Sequence, residues 1–180
     1  ELEGYFFPDT YFVAPGSSAT VLLRLMHKRM KDELDKAWAQ RAQNTPLKSP
    51  YEALILASII EKETGRDSDR PLVGSVFTNR LRIGMRMQTD PTVIYGLGEK
   101  FDGNLRKVDL QTDTPYNTYT RNGLPPTPIA LPGRASLRAA VAPPPSEFLY
   151  FVARGDGTSE FSKNLAEHNR AVAKYQLGQK

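Results

Sequence analysis

Two carboxylates, Glu61 and Glu63, stand at the end of the most apolar stretch of the chain, Ala53 to Ile60. The stretch opens on Ser49-Pro50-Tyr51-Glu52. That order supplies an N-cap hydroxyl, a proline at the first helical position and a glutamate that completes a capping box. Gly65 supplies a stop, so a helix is predicted from Pro50 to Thr64. Both glutamates then fall in its last turn, beside the partial negative charge of the helix C-terminus. That position raises a carboxyl pKa, and burial raises it further. A carboxyl still protonated near neutral pH is what general acid catalysis requires. At about 100° per residue, Glu63 continues the stripe Leu56, Ile59, Ile60, whereas Glu61 continues Leu54, Ala57, Ser58. The preference for Glu63 is narrow, because this helix is apolar nearly all round. Glu61 is expected to be solvated or salt-bridged to a basic residue. An ordinary pair of helix-end glutamates would look the same, so that alternative stays open.

Three polar clusters could surround such an acid. Gln88-Thr89-Asp90-Pro91-Thr92-Val93-Ile94-Tyr95-Gly96 gathers amide, carboxylate, hydroxyl and phenol groups suited to sugar hydroxyls and acetamido groups. An Asp-Pro turn leading into a short strand accounts for the same residues. Tyr116-Asn117-Thr118-Tyr119 pairs aromatic faces with an amide, as carbohydrate sites do and as ordinary loops also do. Asn164 and His168 lie four apart at the start of the last helix and share a face. A helix cap with a packed histidine explains that pair as well.

Elements must position these groups. Glu1 to Val13, rich in Tyr and Phe, favours extended structure with a turn at Pro8-Asp9. Ser17 or Ser18 caps a long helix to about Arg41, with Leu23, Met26, Met30, Leu34, Ala37 and Trp38 on one stripe. Pro71 to Ile83 forms another helix, with Val73, Val76, Phe77 and Leu81 inward. Met85 to Pro132 turns irregular, with short strand-like pieces, and long ordered loops of this kind are often functional. Gly133 to Ala142 forms a short helix. Phe148 to Ala153 pairs across Gly155-Asp156-Gly157 as a β-hairpin, and Asn164 to Leu177 closes the chain as a helix. Helices and strands mix without βαβ alternation, so the fold class is α+β.

Composition removes several functions. The 180 residues contain no cysteine, which excludes disulfides and thiolate metal sites. His27 and His168 are the only histidines, which argues against a histidine-rich zinc site and against a Ser-His-Asp hydrolase. The net charge of +4 is scattered apart from Arg80, Arg82 and Arg86, unlike the basic stripes of nucleic-acid binders. It suits a solvated surface facing an anionic envelope. No apolar run approaches the roughly 20 residues that span a bilayer, so the chain is expected to be soluble. It reads as a fragment whose original N-terminus lies elsewhere.

Several ordered motifs resemble the YceG-like family, the MltG-type endolytic murein transglycosylases. They are Leu56 to Thr64, Val76 to Leu81 with Gly84-Met85, and Gln88 to Gly96. Tyr116 to Tyr119 with Gly123 to Pro126, and Asn164-Leu165 with His168-Asn169, complete the set. The resemblance implies a catalytic domain over 16–180, with 1–15 as the end of a preceding LysM-like module or as a first strand. It implies cleavage of the β-1,4 bond between N-acetylmuramic acid and N-acetylglucosamine, leaving a 1,6-anhydromuramoyl end. By the same resemblance Glu63 is the catalytic acid and base. Gln88, Asp90, Thr92, Tyr116, Asn117, Tyr119, Asn164 and His168 are the candidate sugar-binding residues. It further implies a single-pass anchor in the bacterial inner membrane, a periplasmic catalytic domain and wall synthases (penicillin-binding proteins) as partners. No metal or cofactor is implied. A hydrolytic muramidase pairing Glu63 with Asp90, and a non-catalytic peptidoglycan-binding module, are the competing readings.

Overall fold

The computed structural model describes residues 2–177 of the chain. Its architecture is a set of helices gathered around one central helix, flanked by a two-stranded antiparallel sheet. The central helix, α2 (Pro50–Glu63), has every residue from Ala53 to Ile60 buried. A helix apolar all round is stable only as the middle of a core. Truncating Leu54, Leu56, Ile59 or Ile60 to alanine costs about 2–5 kcal/mol each on that account. Its start follows the sequence closely. Ser49 accepts the Glu52 backbone N–H at 3.2 Å. The Glu52 carboxylate reaches one residue beyond the expected partner, to the Lys48 N–H at 2.7 Å. Mid-helix, the buried Ser58 hydroxyl donates to the Ile55 carbonyl and accepts the Ile129 N–H at 2.9 Å, pinning the 124–130 loop.

Three helices wrap α2: α1 (Ala19–Ala39), α3 (Arg70–Arg82) and α6 (Arg134–Val141). Along α1 only part of the expected stripe is inward. Met30 and Ala37 are buried, Met26, Leu34 and Trp38 partly so, and Leu23 is exposed. The ties from α1 to α6 fall in and beyond its second half, where Arg134 grips the buried Glu33 with two bonds of 2.7 and 2.8 Å. Helices α3 and α6 approach until a Cβ on Gly74 would stand 2.3 Å from the Ala139 carbonyl oxygen. Glycine is therefore required at that crossing.

Residues 2–15 form turns and irregular chain rather than an extended run, and the turn falls at Glu3-Gly4 instead of Pro8-Asp9. Core contacts decide this: Phe7 is buried, its N–H bonds the Met26 carbonyl, and Pro128 fills the space beside Gly4. The irregular region also differs from expectation. Its strand-like pieces are absent among the described residues, and Asp90–Leu97 is a helix, α4, followed by a 3-10 turn (Gly98–Lys100) and a short helix α5 (Lys107–Gln111). The run Thr92-Val93-Ile94 favours a strand by propensity. Helix wins because Pro91 is preset for a first turn and because Thr92 and Val93 sink into the core.

The hairpin pairs β1 (Tyr150–Ala153) with β2 (Ser159–Ser162), Tyr150 opposite Ser162 and Phe151 opposite Phe161. Helix α7 (Leu165–Val172) packs on it and continues as a π-helical turn over Ala173–Leu177. Asn79 of α3 donates to the Ser146 and Phe148 carbonyls at 2.9 and 3.0 Å, and Phe77 meets Phe151 edge-on. The hairpin N–H of Ser159 reaches the buried Asp69 at 2.7 Å. These contacts fix the sheet at the end of α2 that carries the two glutamates.

Candidate active site

Glu63 is the last residue of α2 and lies at the floor of a cleft of about 330 Å³. The lining around it comes from several elements. Gln88 comes from the loop entering α4, Asp90 from the first position of α4, Tyr119 from the loop beyond α5, Tyr150 and Phe151 from β1, and Leu165 and His168 from α7; Arg80 of α3 closes the back. Burial raises the Glu63 carboxyl above its ordinary value of 4.5, and the negative charge of Asp90 adds to the rise. A hydrogen bond from Thr89 and the positive charge of Arg80 act in the opposite direction. The net direction is upward. Glu63 is thus a carboxyl group held toward its acid form while facing a polar cleft.

Thr89 is the residue that orients it. Its hydroxyl donates to Glu63 Oε1. Thr89 is itself buried and tied down, its N–H bonded to Thr118 Oγ1 at 3.1 Å and its carbonyl to Thr92 Oγ1 at 2.8 Å. Thr92 and Thr118 share a further bond of 2.9 Å. This threonine triad is a dry hydrogen-bonded support beneath the acid. Just before it, Gln88 adopts φ +49°, the one non-glycine residue with positive φ among those described. Such a conformation costs of order 1–3 kcal/mol and persists only where neighbours enforce it. Here the buried Met87 side chain and the bond from Gln88 N–H to the Thr118 carbonyl (3.1 Å) enforce it.

The eight candidate sugar-binding residues separate into two layers. Gln88, Asp90, Tyr119 and His168 face the cleft with Glu63. Tyr119 donates its hydroxyl to Asp90 Oδ1 at 2.5 Å, and burial together with that carboxylate raises the phenol pKa far above its usual range. The phenol stays a donor. His168 stacks on Tyr150 with centroids 5.1 Å apart, and burial and the nearby Arg80 charge lower its pKa, so the imidazole is neutral at pH 7.

The other four lie outside the cleft lining. Thr92 is fully buried in the triad. Asn117 is fully buried too, donating to the carbonyls of Asp109, Leu110 and Thr112 and accepting the Tyr119 N–H. Tyr116 packs on Tyr95 at 5.0 Å and shares a hydrogen bond with Thr127. Asn164 is spent as the N-cap of α7, bonded through both amide atoms to Glu167. These positions shape the loops that carry the cleft residues.

Glu61 has a different neighbourhood from the one expected. It is half-buried, and no ion pair among the described residues includes it. Its Oε2 accepts the Gly133 N–H at 2.9 Å and the Ser136 hydroxyl at 2.7 Å, which caps α6 from the side. Three site residues escaped notice in the sequence: Thr89, Arg80 and Tyr150. Thr89 sits in a cluster already singled out. Arg80 falls within the Val76–Leu81 motif and the Arg80, Arg82, Arg86 cluster, whereas Tyr150 carries no signal beyond its place in a strand.

The described residues contain no helix long and apolar enough to cross a membrane. The model of the YceG-like family matches residues 1–174. The chain is 42% identical over 175 residues to the endolytic murein transglycosylase of Bacillus subtilis (strain 168), covering 97% of this chain and 48% of that protein. It is 32% identical over 181 residues to the endolytic murein transglycosylase of Streptococcus pneumoniae (strain ATCC BAA-255 / R6), covering 97% and 32% respectively. A crystal structure of a yceG-like protein from Listeria monocytogenes superposes with a TM-score of 0.76 at 43% identity, covering 94% of this chain and 55% of that one. The chain therefore spans about half the length of the first of these relatives and about a third of the second.

Proposed function

The chain belongs to the YceG-like family, and from that premise we propose that it carries the catalytic centre of an endolytic lytic transglycosylase acting on peptidoglycan glycan strands. The observation that carries the reading is Glu63: a carboxyl with its pKa raised by burial, at the floor of a cleft lined by hydrogen-bonding side chains. Protonated Glu63 gives its proton to the glycosidic oxygen as the N-acetylmuramic acid–N-acetylglucosamine bond breaks and positive charge builds on the sugar ring. The resulting carboxylate takes the proton from the muramic acid 6-hydroxyl, which closes on its own anomeric carbon. One carboxyl then serves as acid and base. Ordinary glycosidases need a second because water or an enzyme nucleophile must be handled separately. An internal hydroxyl removes that need, and its proximity supplies much of the rate.

Around the acid, Thr89 holds Oε1 so that Oε2 is the proton-carrying atom. The Asp90 charge keeps that proton in place until the leaving oxygen accepts it. Gln88 and Tyr119 offer an amide and a phenol to ring substituents, and the stacked Tyr150–His168 pair offers an aromatic face. In the family setting we place this domain in the periplasm behind a single-pass inner-membrane anchor, ending nascent strands beside wall synthases. Residues 16–180 form the catalytic domain in that scheme.

The test is mass spectrometry of products from purified, uncrosslinked glycan strands, with Glu63→Gln as the control. Anhydromuramoyl ends from the unaltered chain alone are the expected result. Reducing muramic acid ends would sink the transglycosylase reading and favour hydrolysis with Asp90 as second carboxylate. Binding without cleavage would favour a scaffold.

A further inference from the structure

The back of the cleft holds a charged group that this reaction scheme does not yet use. Arg80 is only 6% exposed, yet none of the ion pairs among the described residues includes it. A buried guanidinium without a carboxylate partner is costly and survives only when its N–H groups find other acceptors. Here both acceptors are main-chain carbonyls. Nε donates to Leu149 O at 2.7 Å, and Nη1 donates to Met87 O. Leu149 precedes Tyr150, in the hairpin wall. Met87 precedes Gln88, Thr89 and Asp90, in the opposite wall. One planar group therefore joins both sides of the cleft behind Glu63. The guanidinium carbon lies 5.4 Å from the Tyr150 ring centre and 6.0 Å from that of Phe77, which holds the plane from a third side.

We propose that Arg80 is a positioning residue for the reaction: it fixes the spacing of the two cleft walls, and its permanent charge stabilises the Glu63 carboxylate after the proton has passed to the leaving oxygen. The inference rests on the transglycosylase reading. The proton leaves Glu63 for the glycosidic oxygen and later returns from the 6-hydroxyl, while Arg80 stays protonated throughout. The other groups facing these charges are Asp90 at the start of α4, Tyr119 from the loop beyond α5, Tyr150 of β1 and His168 of α7. Asp90 alone opposes Arg80 with a full charge. It favours the proton on Glu63, and Arg80 favours its release.

Kinetics of glycan cleavage against pH, with Arg80→Met and Arg80→Lys, separate the two tasks. Because Glu63 must be protonated to begin the reaction, its pKa sets the alkaline limb of kcat/KM. Arg80→Met is expected to lower kcat about 100-fold, the scale of a small misplacement in a reactive geometry, and to move that limb to higher pH. Arg80→Lys keeps the charge but cannot reach both carbonyls in one plane. Its limb should stay near the unaltered one while kcat falls about 10-fold. Wild-type kcat and limb in either variant overturn the proposal, and so does a Lys variant whose limb moves as far as that of Met. If Arg80→Met does not melt cooperatively, Arg80→Lys decides alone. An unaltered protein that leaves glycan intact is a separate result, since it removes the reaction itself and Arg80's role with it.

Discussion

Glu61 and Glu63 are two residues apart on one helix end, and they meet two different regions of the molecule. On the α6 side, Glu61 finds a backbone N–H and a hydroxyl directed at one oxygen, so its charge is consumed by structure. On the cleft side, the half-buried Glu63 finds a single hydroxyl and the opposed charges of Asp90 and Arg80. The first arrangement fixes the side chain as a structural acceptor; the second suits a group that must lose and regain a proton. Chemical type is the same in both, and the division of labour comes from how many donors each environment supplies.

The comparison breaks most sharply at Glu63. Glu63→Gln keeps the acceptor for Thr89 but removes the proton, so cleavage should fall by about 10³-fold or more while the fold is kept. Its stability should change in the other direction. The folded pKa of Glu63 lies above the unfolded 4.5, so the native state binds this proton more tightly. Its favourable contribution belongs to the acid form and declines as pH rises from 4.5 through the folded value. Above the folded value the penalty is complete, and there Glu63→Gln should melt higher than the unaltered protein. At pH 4 the two should melt together. An unchanged melting difference across that range would show that Glu63 is not desolvated.

Thr89→Val tests the support under the acid. Losing a charge-assisted hydrogen bond of about 1.5–3 kcal/mol should cost kcat about 10–100-fold and move the alkaline limb upward, because the lost bond was lowering the Glu63 pKa. Glu61→Ala should show the reverse profile. It leaves the Gly133 N–H and Ser136 hydroxyl without their acceptor, costing about 1–3 kcal/mol by denaturant titration, while kcat per folded molecule stays within about threefold. A large kcat loss there, at full stability, would mean the two glutamates are not separated in function. The smallest effect is expected at Gln88. Gln88→Gly relieves the positive φ, raising stability by about 1 kcal/mol, and removes the amide from the cleft, which should appear as a raised KM.

Much of this frame is legible in the residue order. The cap at Ser49-Pro50 and the unbroken apolar run specify α2, and the glycines at 155 and 157 mark the hairpin turn. Glu63 stood out from its neighbour only by helical phase and by family resemblance. The inner layer was not legible, for a physical reason. Thr92 and Asn117 have the side chains expected of sugar ligands, and only the fold decides whether such groups turn toward solvent or toward unsatisfied backbone. Asn117 turned inward because three carbonyls around α5 needed a donor. Arg80 was illegible from the other direction: its partners are carbonyls, which every residue possesses, so no complementary side chain announces it.

That choice of partner has a consequence for how this architecture can vary. Asn79, Arg80 and Asp69 hold the hairpin through the main-chain atoms of Ser146, Phe148, Leu149 and Ser159. A wall gripped by its peptide groups can exchange its outward side chains without losing its seat. The hairpin is thus an interchangeable panel. Grafting a foreign sequence onto its exposed face should alter which glycans are accepted while the acid beneath keeps its place.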